Sequence, residues 1–312
     1  MQRLRLGKKL VILCRTGALG DVICTLPLCG EIRKRHPGKT LVVLTYADYK
    51  SVVQLARVAD AVFGAKSWVW PFTLPASCQL PGIVEAIYNA QTTDERSPKN
   101  GAQAHLIDDL AASCGLSIPE ANRQPHLFPS PEFIKEIQAA HGVPARRQLI
   151  GINCGRTWPV RMWDVVKWQE LVDKIHAEWD ADILQFGFTQ GPDDPYEHLR
   201  GVHRLKQWMP SQELVALIAG CCLMISTDSG PVHVAGAVGV PVVGLFGAVN
   251  PRFRLPPETP AVGVTSNVPC LFCHHASPRG HWQTGCPYDI RCMKELDVQT
   301  VFSAVKEMLQ KT

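Results

Sequence analysis

One stretch limits the possible folds more than any other: Ile225–Gly247, ISTDSGPVHVAGAVGVPVVGLFG. Leu223–Ser226 and Val240–Phe246 are short apolar runs with the make-up of buried strands. Between them, Asp228-Ser229-Gly230-Pro231 has the chemistry of a helix start. Asp228 or Ser229 suits the N-cap, and Pro231 suits the first helical position. The helix is expected over Val232–Val238, with Gly239 and then Pro241 ending it. A strand that feeds a helix start aims free backbone N–H groups and a positive dipole end above the sheet edge, which suits a phosphate. Asp228 can hold sugar or ribose hydroxyls there, and His233, one turn in, can reach a diphosphate. A plain capped crossover needs less: Asp, His and five Gly in so short a unit exceed structural need.

The rest of the chain repeats the strand–helix theme. In the first half, strands are expected at Leu10–Cys14, Thr40–Thr45 and Ala61–Phe63. Helices are expected from Asp21 to about Arg35, at Ser51–Ala59, at His105–Cys114 and at Phe133–His141. Trp68–Gln103, with Pro71, Pro75, Pro81 and Pro98, reads as an irregular, substrate-facing region. After a linker near Gly142–Arg147, strands Leu149–Asn153 and Ala181–Phe186 alternate with helices Val165–Glu178 and Pro210–Ala219. Alternation in both halves implies two doubly wound α/β domains, residues 1–145 and 146–312. The length of 312 residues is enough for two cores.

Composition narrows the class. A hydrophobic fraction of 46% and a charged fraction of 19% describe an ordinary globular protein. The net charge of +4 fits anionic substrates or weak attraction to an acidic lipid surface, and argues against a nucleic-acid partner. The basic start MQRLRLGKKLVILCRTG carries only a short apolar run, Leu10–Cys14, which suits a first strand better than a signal-peptide core. Twelve cysteines without a secretory signal point to a reducing compartment, so the expected location is cytoplasmic.

Gly17-Ala18-Leu19-Gly20-Asp21-Val22, Asp228-Ser229-Gly230-Pro231-Val232-His233 and Leu245-Phe246-Gly247 together resemble glycosyltransferase family 9, the ADP-heptose heptosyltransferases. The similarity in pattern runs from about Leu10 to Leu296. It implies a GT-B architecture, in which two Rossmann-like domains face a central cleft, acceptor on the N-terminal side and nucleotide-sugar on the C-terminal side. Transfer in that family inverts the anomeric carbon and needs no catalytic metal.

Inverting transfer is one in-line displacement, so a base must take the acceptor proton on the face opposite the leaving diphosphate. The resemblance assigns that base to Asp21. The plainer role for Asp21 is capping its helix. A first-turn position favours its ionised form. The leaving group needs positive charge, and Asn153-Cys154-Gly155-Arg156-Thr157-Trp158-Pro159-Val160-Arg161 resembles the family's phosphate-gripping loop. Arg161 stands where the family commonly has Lys, so the clamp geometry differs. Thr157 matches a position that hydrogen-bonds phosphate, and Arg156 replaces a small polar residue; the alternative is that both arginines are solvated surface charges. Met209 matches an adenine-pocket Met, and Asp193 and Asp194 are candidates for ribose. Gly20, Thr227, Ser229 and Gly230 complete the expected donor-binding set with Asp228 and His233.

The tail carries Cys270, Cys273, Cys286 and Cys292, a Cys-x2-Cys-x12-Cys-x5-Cys spacing in a loop-rich segment, 270–292. Four thiolates opening on Cys-x2-Cys suit tetrahedral zinc or iron. His274, His275 and His281 are alternative ligands, and independent thiols or disulfides are alternative states. The tail is also similar to the four-cysteine metal finger of a family branch that modifies autotransporter proteins, which brings in a protein acceptor. The other eight cysteines read as small buried apolar residues.

These readings converge on an inverting transferase that moves a heptose, or a similar sugar, from an ADP-linked donor. The acceptor is a lipopolysaccharide core or a protein hydroxyl, with peripheral contact at the inner face of the membrane. A nucleotide-sugar epimerase and a non-catalytic sugar-nucleotide binder are the alternatives.

Overall fold

In the computed structural model, which describes residues 9–66, 82–92, 104–144, 148–154, 158–187, 191–205, 209–276 and 285–311, the strands form two parallel sheets. The first contains β1 (Leu10–Cys14), β2 (Thr40–Tyr46), β3 (Ala61–Ala65) and β4 (Val84–Asn89), in the order β3-β2-β1-β4. The second contains β5 (Leu149–Asn153), β6 (Asp182–Phe186), β7 (His203–Arg204), β8 (Leu223–Thr227), β9 (Val242–Leu245) and β10 (Ala261–Val264), in the order β10-β9-β8-β5-β6-β7. β8 is buried along its whole length, as a central parallel strand covered on both faces must be.

The helices are α1 (Leu19–Thr25), α2 (Leu28–Arg35), α3 (Lys50–Ala56), α4 (Leu106–Ser113), α5 (Pro131–Ala140), α6 (Val165–Glu178), α7 (Ser211–Ala219), α8 (Gly230–Val238), α9 (Cys273–Ala276), α10 (Arg291–Lys294) and α11 (Val298–Lys311). Their starts follow local chemistry. Ser130 accepts from the N–H of Phe133 ahead of Pro131, and Asp164 accepts from the N–H of Val166. Gly239, at φ 80°, ends α8 in the left-handed conformation that favours glycine.

Several expectations need correction. The helix expected from Asp21 to Arg35 is two helices, because Pro27 lacks an N–H and interrupts the ladder between α1 and α2. Asp21 lies in the first turn of α1 and does not cap it; Ala18 is the N-cap. The stretch expected to be irregular contains β4, which pairs with β1 and completes the first sheet. Its alternation is weak, since no β4 residue is fully buried. β7, β10 and α11 also went unread.

The hydrophobic core is shared between the halves. One cluster joins Val11, Leu13 and Ile23 of the first sheet unit to Val215, Met224 and Val234 of the second. A second lies wholly within the later residues, around the edge-to-face pair Trp163 and Trp168, centroids 5.1 Å apart. Helix α5 packs on α7, and His141 Nε2 meets Glu213 Oε2 at 2.8 Å. Backbone bonds tie the halves further: Leu127 N–H donates to Ala237 O at 2.8 Å, and Gln124 Nε2 donates to Gly236 O at 2.7 Å.

Candidate active site

Open parallel sheets hold ligands beyond the carboxyl ends of their strands, at the point where strand order reverses. Each sheet here has such a point. In the first it lies between β1 and β4, and in the second between β5 and β8.

At the first reversal point Arg15 follows β1 and Ala90 follows β4. Arg15 Nη1 donates to Ala90 O at 2.9 Å, and Nη2 donates to Asp21 Oδ2 at 2.7 Å. The guanidinium is buried while the Asp21 side chain is 28% exposed, so the carboxylate is partly open on a closed anchor. Gly17 leaves room for this pair. A Cβ on it would stand 2.8 Å from both Arg15 Nη2 and Asp21 Oδ2.

At the second reversal point Asn153 ends β5, Ser226 and Thr227 end β8, and Asp228 follows. Asn153 Nδ2 donates to Ser226 Oγ at 3.2 Å and to Ser229 Oγ at 2.8 Å. Ser229 is the N-cap residue by backbone, but its hydroxyl donates to Thr227 O at 3.0 Å and does not cap α8. Pro231 has no N–H and the Val232 N–H donates to Ser229 O at 3.1 Å, so it is the N–H groups of Ser229 and Gly230 that keep their capacity for a ligand. Arg161 Nε approaches Asp228 Oδ2 at 3.2 Å, and Nη1 donates to Asp228 O at 3.2 Å. The guanidinium lies 4.3 Å over the Trp158 ring. The Nε–Oδ2 approach is an ion pair without hydrogen-bond alignment, and Thr227 Oγ1 is also buried without a partner among the described residues.

The two reversal points meet along α1 and α8. A Cβ on Gly20 would fall 2.5 Å from Cδ2 of His233, and one on Gly230 would fall 3.8 Å from Leu19 Cβ. Burial, the largest influence on His233, holds its imidazole down at about 4, against the upward pull of Asp228 and Asp21. The ring is therefore neutral near pH 7. Arg254, just after a turn at Pro251–Phe253, is buried; burial lowers its pKa, and the nearby Cys24 and Asp21 oppose that shift.

The structure thus gathers Gly20, Asp21, Arg161, Thr227, Asp228, Ser229, Gly230 and His233. Arg156 and Thr157 lie outside the described residues. Asp193 is exposed, whereas Asp194 is buried and accepts from the N–H of Tyr196, capping a short turn. Met209 is half-buried against the first core cluster. Sequence reasoning missed Arg15, Cys24 and Arg254 as neighbours of the site, and placed Asn153 there only as the first residue of the phosphate-gripping loop. Arg15 directly follows an apolar strand, a signal that was available; Arg254 had none.

The four tail cysteines lie in one neighbourhood. Burial first, then Cys273, Cys270 and Cys286, push the Cys292 thiol up to about 11; burial, then Cys286 and Cys270, raise that of Cys273. Among the described residues, no three His, Cys, Asp or Glu stand close enough to share an ion. The donor set suits a soft or borderline metal, but its placement is wider than a ligand shell. His274 and His275 are buried beside it, and the backbone N–H of His274 donates to Ala248 O at 2.9 Å, drawing this segment over the end of β9. His281 lies outside the described residues. No disulfide links the described cysteines. Of those read as plain apolar residues, Cys114 and Cys222 are only half-buried, and Cys78 lies outside the described residues.

The profile described as glycosyltransferase family 9 (heptosyltransferase) matches residues 102–282. Lipopolysaccharide heptosyltransferase 3 of Escherichia coli is 32% identical over 296 residues, spanning 76% of this chain and 83% of that protein. The chain belongs to glycosyltransferase family 9. Solved structures agree on the fold. Escherichia coli ADP-heptose lipopolysaccharide heptosyltransferase II superposes with a TM-score of 0.70 at 15% identity, over 97% of this chain and 99% of that one. The dodecameric iron-containing heptosyltransferase TibC, solved in complex with ADP-D-β-D-heptose, gives 0.72 at 14% identity, over 97% and 76%. This family 9 glycosyltransferase has the GT-B architecture, two parallel-sheet α/β domains with a cleft between them.

Proposed function

We propose that this glycosyltransferase moves a heptose from an ADP-linked donor to a hydroxyl of a lipopolysaccharide core or of a protein, with inversion at the anomeric carbon. The observation that carries the reading is the meeting of two strand-reversal sites, one bearing Asp21 and the other the start of α8, across Gly20 and His233. The relatives named above act as heptosyltransferases, and one was solved with ADP-heptose, which supports the donor. We take residues 1–145 as the acceptor-side domain and 146–312 as the donor-side domain, consistent with sheets spanning Leu10–Asn89 and Leu149–Val264.

In this reading Asp21 is the general base. Arg15 occupies Oδ2, which leaves Oδ1 to take the acceptor proton. The acceptor oxygen bonds to the anomeric carbon as the bond from that carbon to the diphosphate breaks, and ADP leaves with the electron pair. Its charge falls to Arg161, Arg156, Thr157, His233 and the N–H groups of Ser229 and Gly230 at the start of α8. No metal is assigned a part in this step. Asp228 and Thr227 hold donor hydroxyls, Gly20 lets the α1 backbone approach, Met209 lines the adenine site, and Asp193 reaches the ribose.

We assign Cys270, Cys273, Cys286 and Cys292 to a structural zinc or iron, supported by their Cys-x2-Cys-x12-Cys-x5-Cys spacing and by the iron of the TibC relative; from the described positions, which are wider than a ligand shell, the thiols would have to draw together around the ion. We place the enzyme in the cytoplasm with peripheral contact at the inner membrane face and no nucleic-acid partner. No helix among the described residues is long and apolar enough to cross a membrane. The test is incubation with ADP-heptose and heptose-deficient lipopolysaccharide or a candidate protein. Acceptor-dependent ADP release with an inverted linkage by NMR is the expected result. Free heptose or an epimerised sugar-nucleotide with every acceptor overturns the reading.

A further inference from the structure

Cys24 lies one turn after Asp21 on α1, and its Sγ is 3.3 Å from Nδ1 of His233 on α8. Cys24 is 2% exposed and His233 8%, so water does not compete for this contact. It is unlike the contact of Cys221, whose thiol donates to Leu217 O only four residues back, at the end of α7. The Cys24 contact instead joins the helix of the base to the helix of the donor site. Positions 21 and 24 are three apart and share one face of α1. The ring also has little freedom to turn, because it packs against Gly20 where even a methyl group would collide.

Burial pushes the Cys24 thiol well above its ordinary value and keeps His233 neutral near pH 7. One hydrogen bond joins these two neutral partners. Either S–H donates to Nδ1, which puts the ring proton on Nε2, or Nδ1–H donates to sulfur and Nε2 is bare. Sulfur is a weak acceptor and an imidazole nitrogen a good one, which favours the first arrangement. That arrangement alone lets the other ring nitrogen donate to an anion. Nδ1 also carries the one side-chain hydrogen bond of His233 among the described residues, which leaves Nε2 for a ligand.

We propose that Cys24 is a positioning residue: its S–H···Nδ1 bond fixes the His233 ring and its tautomer, so that Nε2–H is the group offered to the donor diphosphate. The proposal rests on the reading of His233 as a diphosphate ligand. It also gives α1 two connected duties, since the turn that carries the base orients the group that receives the leaving charge.

The test uses the full chain and ADP as probe, with calorimetry of Cys24→Val, Cys24→Ser and His233→Ala. One neutral hydrogen bond is worth about a fivefold to tenfold change in affinity. Cys24→Val is expected to weaken ADP binding by about that factor, and Cys24→Ser, which keeps a hydroxyl donor, to stay within about threefold of wild type. Nitrogen-15 NMR of the wild type should find His233 protonated at Nε2. Wild-type affinity in Cys24→Val overturns the proposal. So does an equal loss in the Ser and Val variants, because packing alone would then explain it. Unchanged ADP binding in His233→Ala would instead remove the diphosphate reading on which it stands.

Discussion

Arg15 grips one oxygen of Asp21 at 2.7 Å while its other terminal nitrogen is held by Ala90 O, so the candidate base is anchored to the ends of two strands. A planar guanidinium fork held at two points sets the direction of the carboxylate as an ammonium could not. Asp21→Asn should lower kcat by about 10²–10⁴, the range for loss of a general base, with ADP affinity within about twofold of wild type. Arg15→Lys should lower kcat by about tenfold with ADP affinity equally preserved. A wild-type rate in Asp21→Asn removes the base assignment.

Two glycines should respond to alanine in opposite directions. At Gly20 the new Cβ would sit 2.5 Å from Cδ2 of His233, in a fixed buried ring. Overpacking of this kind costs about 1–3 kcal/mol, so Gly20→Ala should lower Tm and weaken ADP binding together. Gly30, within α2, has open space where its Cβ would stand. Gly30→Ala should stabilise by about 0.5–1 kcal/mol with activity unchanged. Thermal unfolding of both variants checks the pair, and a stable Gly20→Ala enzyme with normal ADP affinity contradicts the seam described above.

Asp228 contributes through Arg161 as well as directly. Its carboxylate and carbonyl hold that guanidinium, at 3.2 Å in each case. Asp228→Ala should weaken donor binding by about 1–3 kcal/mol, the cost of leaving a buried polar partner unpaired. Arg161→Met should cost more in folding stability than Asp228→Asn, because it leaves a buried carboxylate without its cation. Calorimetry showing unchanged donor affinity in Asp228→Ala refutes its donor role.

Acid should destabilise the fold through its buried imidazoles. Burial holds His233 at about 4 and pulls His105 below its usual value. In the unfolded chain both titrate near 6.5. Between those values the unfolded state binds more protons, so stability rises with pH there. The contribution is complete above about pH 6.5 and is lost as pH falls toward 4; for His233 it is on the order of 3 kcal/mol. Urea unfolding at a series of pH values should give a slope that flattens in His233→Gln. An unaltered slope in that variant means that His233 does not titrate as a buried group.

Elemental analysis of the purified chain should find about one zinc or iron per molecule, the content of one four-ligand site. Cys273→Ser should lower that content and the Tm together. A stably folded chain free of metal after native purification rejects the finger.

Much of the architecture was readable from the chain because parallel strands are buried on both faces and appear as plain apolar runs. β1, β5 and β8 are of this kind, and Gly239 and Pro241 marked the end of α8 from chemistry that acts over a few residues. β4 was missed because an edge position leaves it half-exposed, so neither a continuous run nor a clean alternation announces it. The break at Pro27 was missed because the apolar spacing continues across it while the hydrogen-bond ladder does not.

The site divides in the same way. Local order dictates a helix start at Gly230, a carboxylate at Asp21 and a cysteine knuckle at Cys270 and Cys273, because caps, turns and ligand spacings depend on near neighbours in sequence. Tertiary structure alone decided that Arg15 would anchor Asp21 through Ala90, 75 residues away, and that Cys24 would meet His233 across 209 residues. Such contacts depend on which strands pair and which helices cross. That is set by how the buried faces of two sheets pack into one core, a global outcome that no local pattern encodes.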